Sequence, residues 1–440
     1  MRFSKRHDDK VRLSRLVNLY LLLLLAGAGY LQPANGSEQG GALTDWSFGG
    51  HSKYQYIHTF IPESSVLQGI SGDSLQDHSF EARLKISARR ERFDFEAHGQ
   101  FIIVHSDSLA GYRELPGLII PGSDVINDDR RWFNLTHEFN NENKNASLAR
   151  LDRASIAYTG DKTVIRFGRQ AISWGNGLLF TPMDILNPFD PTAVDKEYKS
   201  GDDMLYAQYL LDSGNDVQAV AVVRRNPVSG ELEQDQSSLA LKYHGFLGGK
   251  EYDLLATDHY GELVLGLGGS TDLGGAVWRG DLVWGDTDSG SVLSGVLGVS
   301  YSGVLGGRNW TGFMEYYYNG FGQEGGEYSP VELASNPELL KRLSRGELYN
   351  LGRHYLGASL SFEMTPLLNL TPNFFVNLAD PSALVQLVLS YSWAQDIQLL
   401  AALGMPFGSN GTEYGGIETG QTELYLSTGP YLFAQFAWYF

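Results

Sequence analysis

Apolar and polar residues alternate one by one over long stretches of this 440-residue chain. In residues 80–89 every second side chain is apolar and those between are mostly charged, and the pattern resumes in residues 93–103 after a short polar turn. Successive side chains of a strand point to opposite faces, so each stretch predicts a strand with one apolar and one charged face. A helix would distribute both classes around its circumference, which the pattern excludes.

Strands of this kind suit a soluble sandwich, where the apolar face meets a protein core, or a membrane barrel, where it meets lipid. Three features favour the barrel. Residues 80–90 form a long segment, whereas soluble strands average about 5–6 residues and membrane-spanning strands need about 9–11. Aromatic residues collect near strand ends, as at Tyr54, Tyr316 and Trp393. The connections between strands also tend to alternate between short and long.

The pattern therefore predicts an all-β fold, a transmembrane antiparallel up-and-down β-barrel of about 18 strands, with about 16 as the alternative. An even strand count places both termini at the same end of the barrel. The long connections are expected at 61–78, 105–149, 171–202, 226–235, 320–349 and 405–423. Residues 331–345 predict a short amphipathic helix in one of them.

The N-terminal residues 1–36 have the order of a secretory signal: a basic region, a short apolar core and then small residues. Cleavage is expected after Gly36, with Ala28 as the alternative site. A membrane anchor is the competing interpretation, but the apolar core is short for a span and polar, Gly-rich sequence follows it. We therefore expect a signal peptide over 1–36 and one barrel over 37–440.

The C-terminal strand, predicted at 424–440, favours the outer membrane of a Gram-negative bacterium. Apolar residues occupy every second position from Leu432 to Phe440. This pattern resembles the terminal signature of outer-membrane barrels, which the assembly machinery of that membrane recognises. A free aromatic end would be an aggregation liability in a soluble protein. The expected partners are outer-membrane lipid, lipopolysaccharide and the barrel-assembly machinery, the last through Phe440.

Composition excludes several other classes of protein. The only long apolar run is N-terminal and mean hydropathy is negative, so a polytopic helical membrane protein is excluded. The chain has 0 Cys, which removes disulfide scaffolds and thiolate metal sites. A net charge of -18 argues against a nucleic-acid partner. Hydrolase, zinc-peptidase and phosphate-loop motifs are missing, and Gly320–Gly325 fits a dinucleotide pattern without a helix after it. We expect no enzyme, no cofactor and no bound metal.

A barrel of this size leaves an aqueous channel unless something fills it. Few residues separate the expected cleavage site from the first predicted strand at Ser52, so a plug domain is not expected and any narrowing must come from a loop folded inward. Residues 171–202 are the best candidate, because they are rich in Pro, Gly and large apolar side chains that would need cover outside the barrel. The alternative is a hydrophobic outer loop that caps the barrel.

The same stretch carries a family resemblance. Residues 168–191, GRQAISWGNGLLFTPMDILNPFDP, and residues 195–209, DKEYKSGDDMLYAQY, resemble porin-like outer-membrane proteins related to the alginate-export channels. In that group a strand ending Gly-Arg-Gln leads into a Trp-Gly loop and an Asn-Pro segment. Residues 352–371 have the same character. The resemblance implies a single-chain channel of roughly eighteen strands that passes an organic or saccharide solute. Alginate-export channels favour a strongly basic lumen, whereas the inward positions predicted here carry both signs.

Some of the predicted inward cations cluster on neighbouring strands: Arg83, Lys85, Arg153 and Arg166, with Arg169 at the base of the loop that follows. They predict a basic ladder, to which the guanidinium groups would bind carboxylates or phosphates in bidentate geometry. The alternative is that these arginines pair with carboxylates of the lumen. The candidates for lining the pore or constricting it are Arg83, Lys85, Arg153, Arg166, Arg169, Trp174, Asn176, Asp184 and Asp190.

Two functions stay open at this point. The first is a porin-like channel for diffusion or export of a small polar or anionic organic solute, with saccharides included. The second is a structural or binding barrel without transport, such as an adhesin, a receptor or an envelope-assembly protein. The two differ in whether the lumen is open or filled. The sequence allows a monomer or a homotrimer.

Overall fold

The structure, a computed structural model, describes residues 45–114 and 127–440, so the expected signal peptide and its cleavage site lie outside the described residues. The strands are β1 Asp45–Phe60, β2 Ser74–Arg90, β3 Phe93–Ser106, β4 Thr136–Glu142, β5 Asn145–Thr159, β6 Thr163–Gln170, β7 Asp202–Leu210, β8 Asp216–Val222, β9 Ser238–Leu247, β10 Lys250–His259, β11 Glu262–Leu273, β12 Ala276–Thr287, β13 Gly290–Leu305, β14 Arg308–Tyr318, β15 His354–Thr365, β16 Leu368–Asn377, β17 Ser382–Ala394, β18 Ile397–Phe407, β19 Ile417–Glu418, β20 Tyr425–Leu426 and β21 Tyr431–Tyr439. The α-helices are α1 Gln68–Ser71, α2 Asp107–Glu114, α3 Pro330–Ala334 and α4 Pro337–Arg345.

The sheet closes on itself through its first and last strands. Ile57 of β1 lies opposite Asp77 of β2 on one side and opposite Phe433 of β21 on the other. Every other barrel strand pairs antiparallel with its neighbours along the chain, with β3 next to β5 and β18 next to β21. The predicted fold, an up-and-down antiparallel barrel of 18 strands, is confirmed. Strand β4 is an extra strand, which pairs with residues 145–150 of β5, whereas β6 pairs with residues 154–159. Strands β19 and β20 form a separate small hairpin.

The two ends of the barrel differ in their connections. At the end that holds Asp45 and Tyr439, which we call the turn end, the strands are joined by short turns. Three of these turns are Gly–Gly pairs with both residues at positive φ, the backbone of a type I′ hairpin. They are Gly248–Gly249, Gly274–Gly275 and Gly306–Gly307. The opposite end, the loop end, carries all six of the expected long connections, although the hairpins at 260–261 and 288–289 are tight.

The alternation in the sequence separates the two faces of the barrel wall. On β1 the side chains of Trp46 and Phe48 are 58% and 54% exposed, whereas Lys53 is 4% exposed. On β2 Phe80 is exposed and Arg83 is buried. The exposed side chains are thus mostly apolar and point outward, and many of the buried ones are charged and point into the lumen. This reversal of a soluble protein's pattern is the one that a lipid-facing barrel requires.

Several element boundaries differ from the sequence expectation. Strand β1 begins at Asp45 rather than Ser52, because Gly49 and Gly50 interrupt an alternation that the structure nevertheless continues. The last strand begins at Tyr431 rather than 424, directly after Pro430, which lacks the N–H that a strand interior needs. The helix expected at 331–345 is present as the consecutive helices α3 and α4. Among the described residues, none of the helices combines the length and apolar character required to cross a membrane.

Candidate functional site

Residues 171–201 connect β6 to β7 and run around the inner wall of the barrel; we call this segment the inner loop. Near its start, Trp174 Nε1 donates to Gln218 of β8 at 2.9 Å. Near its end, the carbonyl of Thr192 accepts from Gln386 of β17 at 2.7 Å. Between these points the inner loop contacts β10, β12 and β14, and afterwards it contacts β1, β2 and β5 before it enters β7. The loop therefore makes a nearly complete circuit of the lumen.

Two carboxylates of the wall hold the first half of the inner loop by its backbone. Asp281 of β12 accepts from the backbone N–H of Asn176 at 2.7 Å and from its side-chain amide at 2.8 Å. Glu315 of β14 accepts from three consecutive backbone N–H groups, those of residues 178–180, at 2.5 to 3.2 Å. Hydrogen bonds to an ionised acceptor are stronger than neutral ones. Glu315 is 2% exposed, so water competes little for these bonds.

Apolar side chains of the inner loop fill one side of the lumen. Each strand from β7 to β17 contributes at least one inward apolar side chain to one of two clusters. The first cluster is Trp174, Met183, Leu186, Met204, Val220, Val222, Ala240, Leu255, Val264 and Val283. The second is Leu179, Phe180, Val296, Tyr317, Tyr355, Phe375 and Leu384. Within the second, the ring of Phe180 stacks on Tyr317 with centroids 4.9 Å apart. Burial of these side chains drives the loop against the β7–β17 wall.

The second half of the inner loop is held by charge. Lys53 of β1 binds Asp195 at 2.8 Å and Glu197 at 2.6 Å. The hydroxyl of Tyr439 on β21 also donates to Glu197, at 2.8 Å. Asp195 and Glu197 thus attach this half of the loop to the wall. Among the described residues, the acidic side chains form no cluster that could hold a metal ion.

Tyr198 of the inner loop lies beneath two cations of the wall. The guanidinium carbon of Arg83 is 3.9 Å from the centroid of the tyrosine ring, and Nζ of Lys85 is 4.6 Å from it. The rings of His51 and His98 approach the same tyrosine at 5.5 and 6.3 Å. Cations over an aromatic face are attracted by its quadrupole, so Tyr198 holds the predicted ladder residues Arg83 and Lys85 in place.

Three arginines share one carboxylate beside Tyr198. Asp152 of β5 binds Arg83 at 2.6 Å, Arg153 at 2.9 Å and Arg150 at 3.3 Å. Glu81 supplies a second anion to Arg83 at 3.0 Å. Arginine keeps its charge in proteins, so three positive charges face two negative ones. The arginines of this group are therefore paired with carboxylates of the lumen, which is the alternative given above, but positive charge is in excess.

Two cavities lie on this polar side of the lumen. The smaller, about 130 Å³, is lined by Lys53, Glu81, Arg83, Gln100, Arg150, Asp152, Asp195, Tyr198, Lys199 and Ser200. The larger, about 810 Å³, lies toward the turn end and is lined by residues that include Arg89, Asp94, Glu96, Arg166, Trp174 and Gln218. The smaller cavity borders β1, β2, β3, β5 and the inner loop. The larger extends from the strands β1 to β6 as far as β7, β8 and Trp174 of the first apolar cluster.

A buried ion pair ties the two ends of the inner loop together. Nζ of Lys199 lies 2.6 and 2.7 Å from the carboxylate oxygens of Asp184, and it also donates to the carbonyl of Ile172 at 2.6 Å. Burial raises the pKa of the Asp184 carboxyl to about 6, against the opposing attraction of Lys199. Burial likewise lowers the pKa of Lys199. This pair braces the loop, and it gives predicted residue Asp184 a structural contact.

The remaining predicted residues have different surroundings. Arg169 binds Asp203 at 2.9 Å and Asp128 at 3.0 Å and is 1% exposed, so it anchors the segment before β4 to the ends of β6 and β7. Asp190 accepts from the backbone and hydroxyl of Thr192 within the inner loop. No ion pair or side-chain hydrogen bond of Arg166 is found among the described residues. Whether these residues line the path of a solute stays a prediction.

Helix α4 covers part of the loop end. Lys341 binds Glu262, at the tip of the β10–β11 hairpin, at 3.0 Å, and Arg342 forms a shorter ion pair with the same carboxylate. The guanidinium of Arg342 also lies 3.7 Å from the ring centroid of Phe321. These contacts hold the connection between β14 and β15 against the rim of the barrel.

A half-buried glutamate holds residues 408–430 against the loop end beside α4. Glu413 accepts from the backbone N–H of Leu351 at 2.8 Å, from Asn377 Nδ2 at 2.7 Å, and from the hydroxyl of Tyr355. Burial raises the pKa of the Glu413 carboxyl from 4.5 to about 7. The Glu413 carboxyl therefore binds its proton more tightly when residues 408–430 are docked on the barrel than when they are undocked.

Docking of residues 408–430 is expected to weaken as the pH rises. Because the pKa of Glu413 is raised in the docked state, stability is fully present below pH 4.5 and is lost through about pH 7; the loss is on the order of 3 kcal/mol. Hydrogen exchange of these amides at pH 5 and 8, corrected for intrinsic rates, measures it. Glu413→Gln should remove the pH dependence, whereas Glu418→Gln, at an exposed position of the same segment, should retain it.

Comparison with known proteins shows similarity of structure. No family model matches the chain, and no curated protein matches its sequence. The crystal structure of Acinetobacter baumannii OccAB1 is 11% identical, covers 92% of this chain and 99% of that one, and has a TM-score of 0.53. The fold is that of a porin-like barrel. Acinetobacter baumannii OccAB2 (10% identity, 90% of this chain and 98% of that one, TM-score 0.51) and a BenF-like porin from Pseudomonas fluorescens Pf-5 (10%, 91% and 100%, 0.50) share it.

Proposed function

We propose that this protein is an outer-membrane channel that lets a small polar or anionic organic solute, saccharides included, cross by diffusion or export. The observation that carries the proposal is the one-sided filling of the lumen. Apolar side chains close most of the β7–β17 side, while cavities with charged and polar groups in their walls remain along β1 to β6, the larger of them reaching β7 and β8. We infer that the inner loop constricts the channel and leaves a narrow polar passage beside it.

The charges of this passage support the preference for anions. Lys85 and Arg166 make no ion pair among the described residues, so their charges are available to a solute. Asp152 and Glu81 leave the three neighbouring arginines with an excess of positive charge. Guanidinium and ammonium groups in a narrow, partly dehydrated passage attract carboxylates and phosphates and repel cations.

The outer-membrane location follows as part of the proposal. Its support is the outward apolar face, the porin-like fold, the signal-like segment 1–36 and the alternating aromatic C-terminus. We propose lipid and lipopolysaccharide as its surroundings and the barrel-assembly machinery as the partner that recognises Phe440. The relation to alginate-export channels rests on residues 168–191 and 195–209 alone. A monomer is compatible with a passage built entirely by one chain.

A second function, a barrel that binds or assembles without transport, is favoured by one observation. The inner loop occupies much of the lumen, and α4 is clamped by ion pairs over part of the loop end. A barrel closed in this way would present its loops as a binding surface. It would show no conductance above the bilayer baseline.

Purified protein inserted into planar bilayers is expected to form anion-preferring channels. Replacing Lys85 and Arg166 together by glutamine should lower the anion-over-cation permeability ratio by about twofold or more, because the unpaired charges are removed from the passage. The ratio is obtained from the reversal potential in a salt gradient. Lys250→Gln, at an exposed position of the β9–β10 turn away from the passage, is the matched control. Baseline conductance would instead support the binding function, and an unchanged ratio would refute the role of the two cations.

A further inference from the structure

The outward face of β1 and β2 carries a small polar unit close to the loop end. The hydroxyl of Tyr54 lies 2.7 Å from Nδ1 of His78. Tyr56, two residues further along β1, is directly opposite His78 in the strand register, and their ring centroids are 4.8 Å apart. One histidine is thus flanked by two tyrosines of the neighbouring strand, and one of the hydroxyls fixes its ring.

The same unit recurs on β14 and β15. The hydroxyl of Tyr316 lies 2.7 Å from Nδ1 of His354. Tyr318 is directly opposite His354 in the register, with ring centroids 5.3 Å apart. Two copies of one geometry on separate parts of the circumference point to a shared role. We call each Tyr-x-Tyr/His arrangement a rim unit.

Both rim units lie near the loop end of the outward apolar face. On β2, His78 is two residues closer to the loop end than the exposed Phe80. On β15, His354 is two residues closer to the loop end than the outward Leu356. Tyrosine and histidine have an apolar body and a polar tip, which suits the boundary between hydrocarbon and headgroups.

The hydrogen bond of each tyrosine leaves the far side of the imidazole available. When the hydroxyl donates to Nδ1, the ring proton is on Nε2, which then is a donor directed away from the tyrosine. Among the described residues, Nε2 of His78 and of His354 has no hydrogen-bond partner. Lys144 immediately precedes Asn145, whose side chain binds His105, and the His105 ring lies 6.4 Å from that of His78. Arg353 directly precedes His354. Both cations are in ion pairs, with Asp107 and Glu324 respectively.

We propose that the rim units bind phosphate groups of the glycolipid in the outer leaflet. The imidazole N–H would donate to a phosphate oxygen, the orienting hydroxyl would keep the ring in the donor tautomer, and the second tyrosine ring would pack against the sugar. Phosphate is the headgroup chemistry that several N–H donors favour. The inference rests on the proposed outer-membrane location but is independent of transport.

Native mass spectrometry of the detergent-solubilised full chain tests the rim units. The probes are bisphosphorylated lipid A and the same lipid with its phosphates removed. The double variant His78→Gln/His354→Gln is expected to bind the bisphosphorylated lipid about tenfold more weakly, which corresponds to the loss of a hydrogen bond to a charged group. Binding of the dephosphorylated lipid should be weak in every variant. His137→Gln, an exposed histidine of β4 without a tyrosine hydroxyl, is the control and should bind as the unaltered chain does.

Two results would overturn the proposal: equal affinity of the double variant and the unaltered chain for the bisphosphorylated lipid, or equal binding of the two lipids. Heat-dependent gel mobility shows whether each variant is a folded barrel. If the double histidine variant does not fold, Tyr54→Phe/Tyr316→Phe replaces it, and a fall in lipid affinity is again expected because the ring is no longer oriented. Conductance in phosphatidylcholine bilayers tests the channel separately, since that lipid is not a glycolipid.

Discussion

Single-channel conductance is expected to rise several-fold when Asp281 and Glu315 are both replaced by alanine. These carboxylates hold the backbone of the inner loop at residues 176–180. Losing such charge-assisted bonds costs at least about 4 kcal/mol, a factor of roughly a thousand in the ratio of docked to undocked loop. An undocked loop no longer fills the β7–β17 side, so the lumen approaches the open channel of a large barrel. Planar-bilayer recording measures the change.

The control for that variant is Glu363→Ala. Glu363 is a carboxylate near the turn end that binds Asn309 and does not contact the inner loop, so its loss should leave the conductance as it was. Heat-dependent gel mobility verifies that each barrel is closed. A folded double variant with unaltered conductance would contradict the assignment of the inner loop as the constriction.

Asp152→Asn is expected to make the passage strongly anion-selective and the barrel less stable. The substitution keeps the shape of the side chain but leaves Arg83, Arg150 and Arg153 facing only Glu81. Removing one partner of a buried ion pair costs about 3–5 kcal/mol. The unfolding midpoint in urea should fall, and the reversal potential in a salt gradient should move toward that of the anion.

An added organic carboxylate should restore part of the lost stability, because it can occupy the place of the missing charge. Asp212→Asn is the matched control. It removes an exposed carboxylate of the β7–β8 turn that is paired with Lys162, and it should change neither the stability nor the ion selectivity. Unchanged selectivity in the Asp152 variant would show that the solute passes elsewhere.

Alternation along the chain was sufficient to predict the barrel because lipid imposes a two-residue period on every strand. The same period indicates which side chains point inward only as long as it is unbroken. At β5 the register with β3 shifts between His98 and Gly99, so that Asp152 and Arg153 both point into the lumen. A β-bulge of this kind turns the residues before it to the opposite face. The alternation therefore identified Arg153 as a lumen residue and missed Arg150 and Asp152.

The inner loop shows a second limit of the sequence. Its apolar character indicated that it needs cover, but no pattern in the sequence relates its acidic residues to particular lysines. In the structure Asp184 binds Lys199 near the end of the same loop, and Asp195 and Glu197 bind Lys53 of β1. Tyr198, which contacts both predicted ladder residues of β2, has no signal in the sequence, because a loop has no period that relates its residues to those of the wall.

Glu197 binds both of the strands whose pairing closes the barrel: Lys53 on β1 and Tyr439 on β21. These two are the first and last barrel strands along the chain. Until they pair, Glu197 can bind only one of these two partners, and the apolar side chains of Leu179 and Phe180 have no closed lumen to enter. Seating of this segment is therefore expected to require a closed barrel, and a barrel that fails to close should leave Leu179 and Phe180 open to proteolysis.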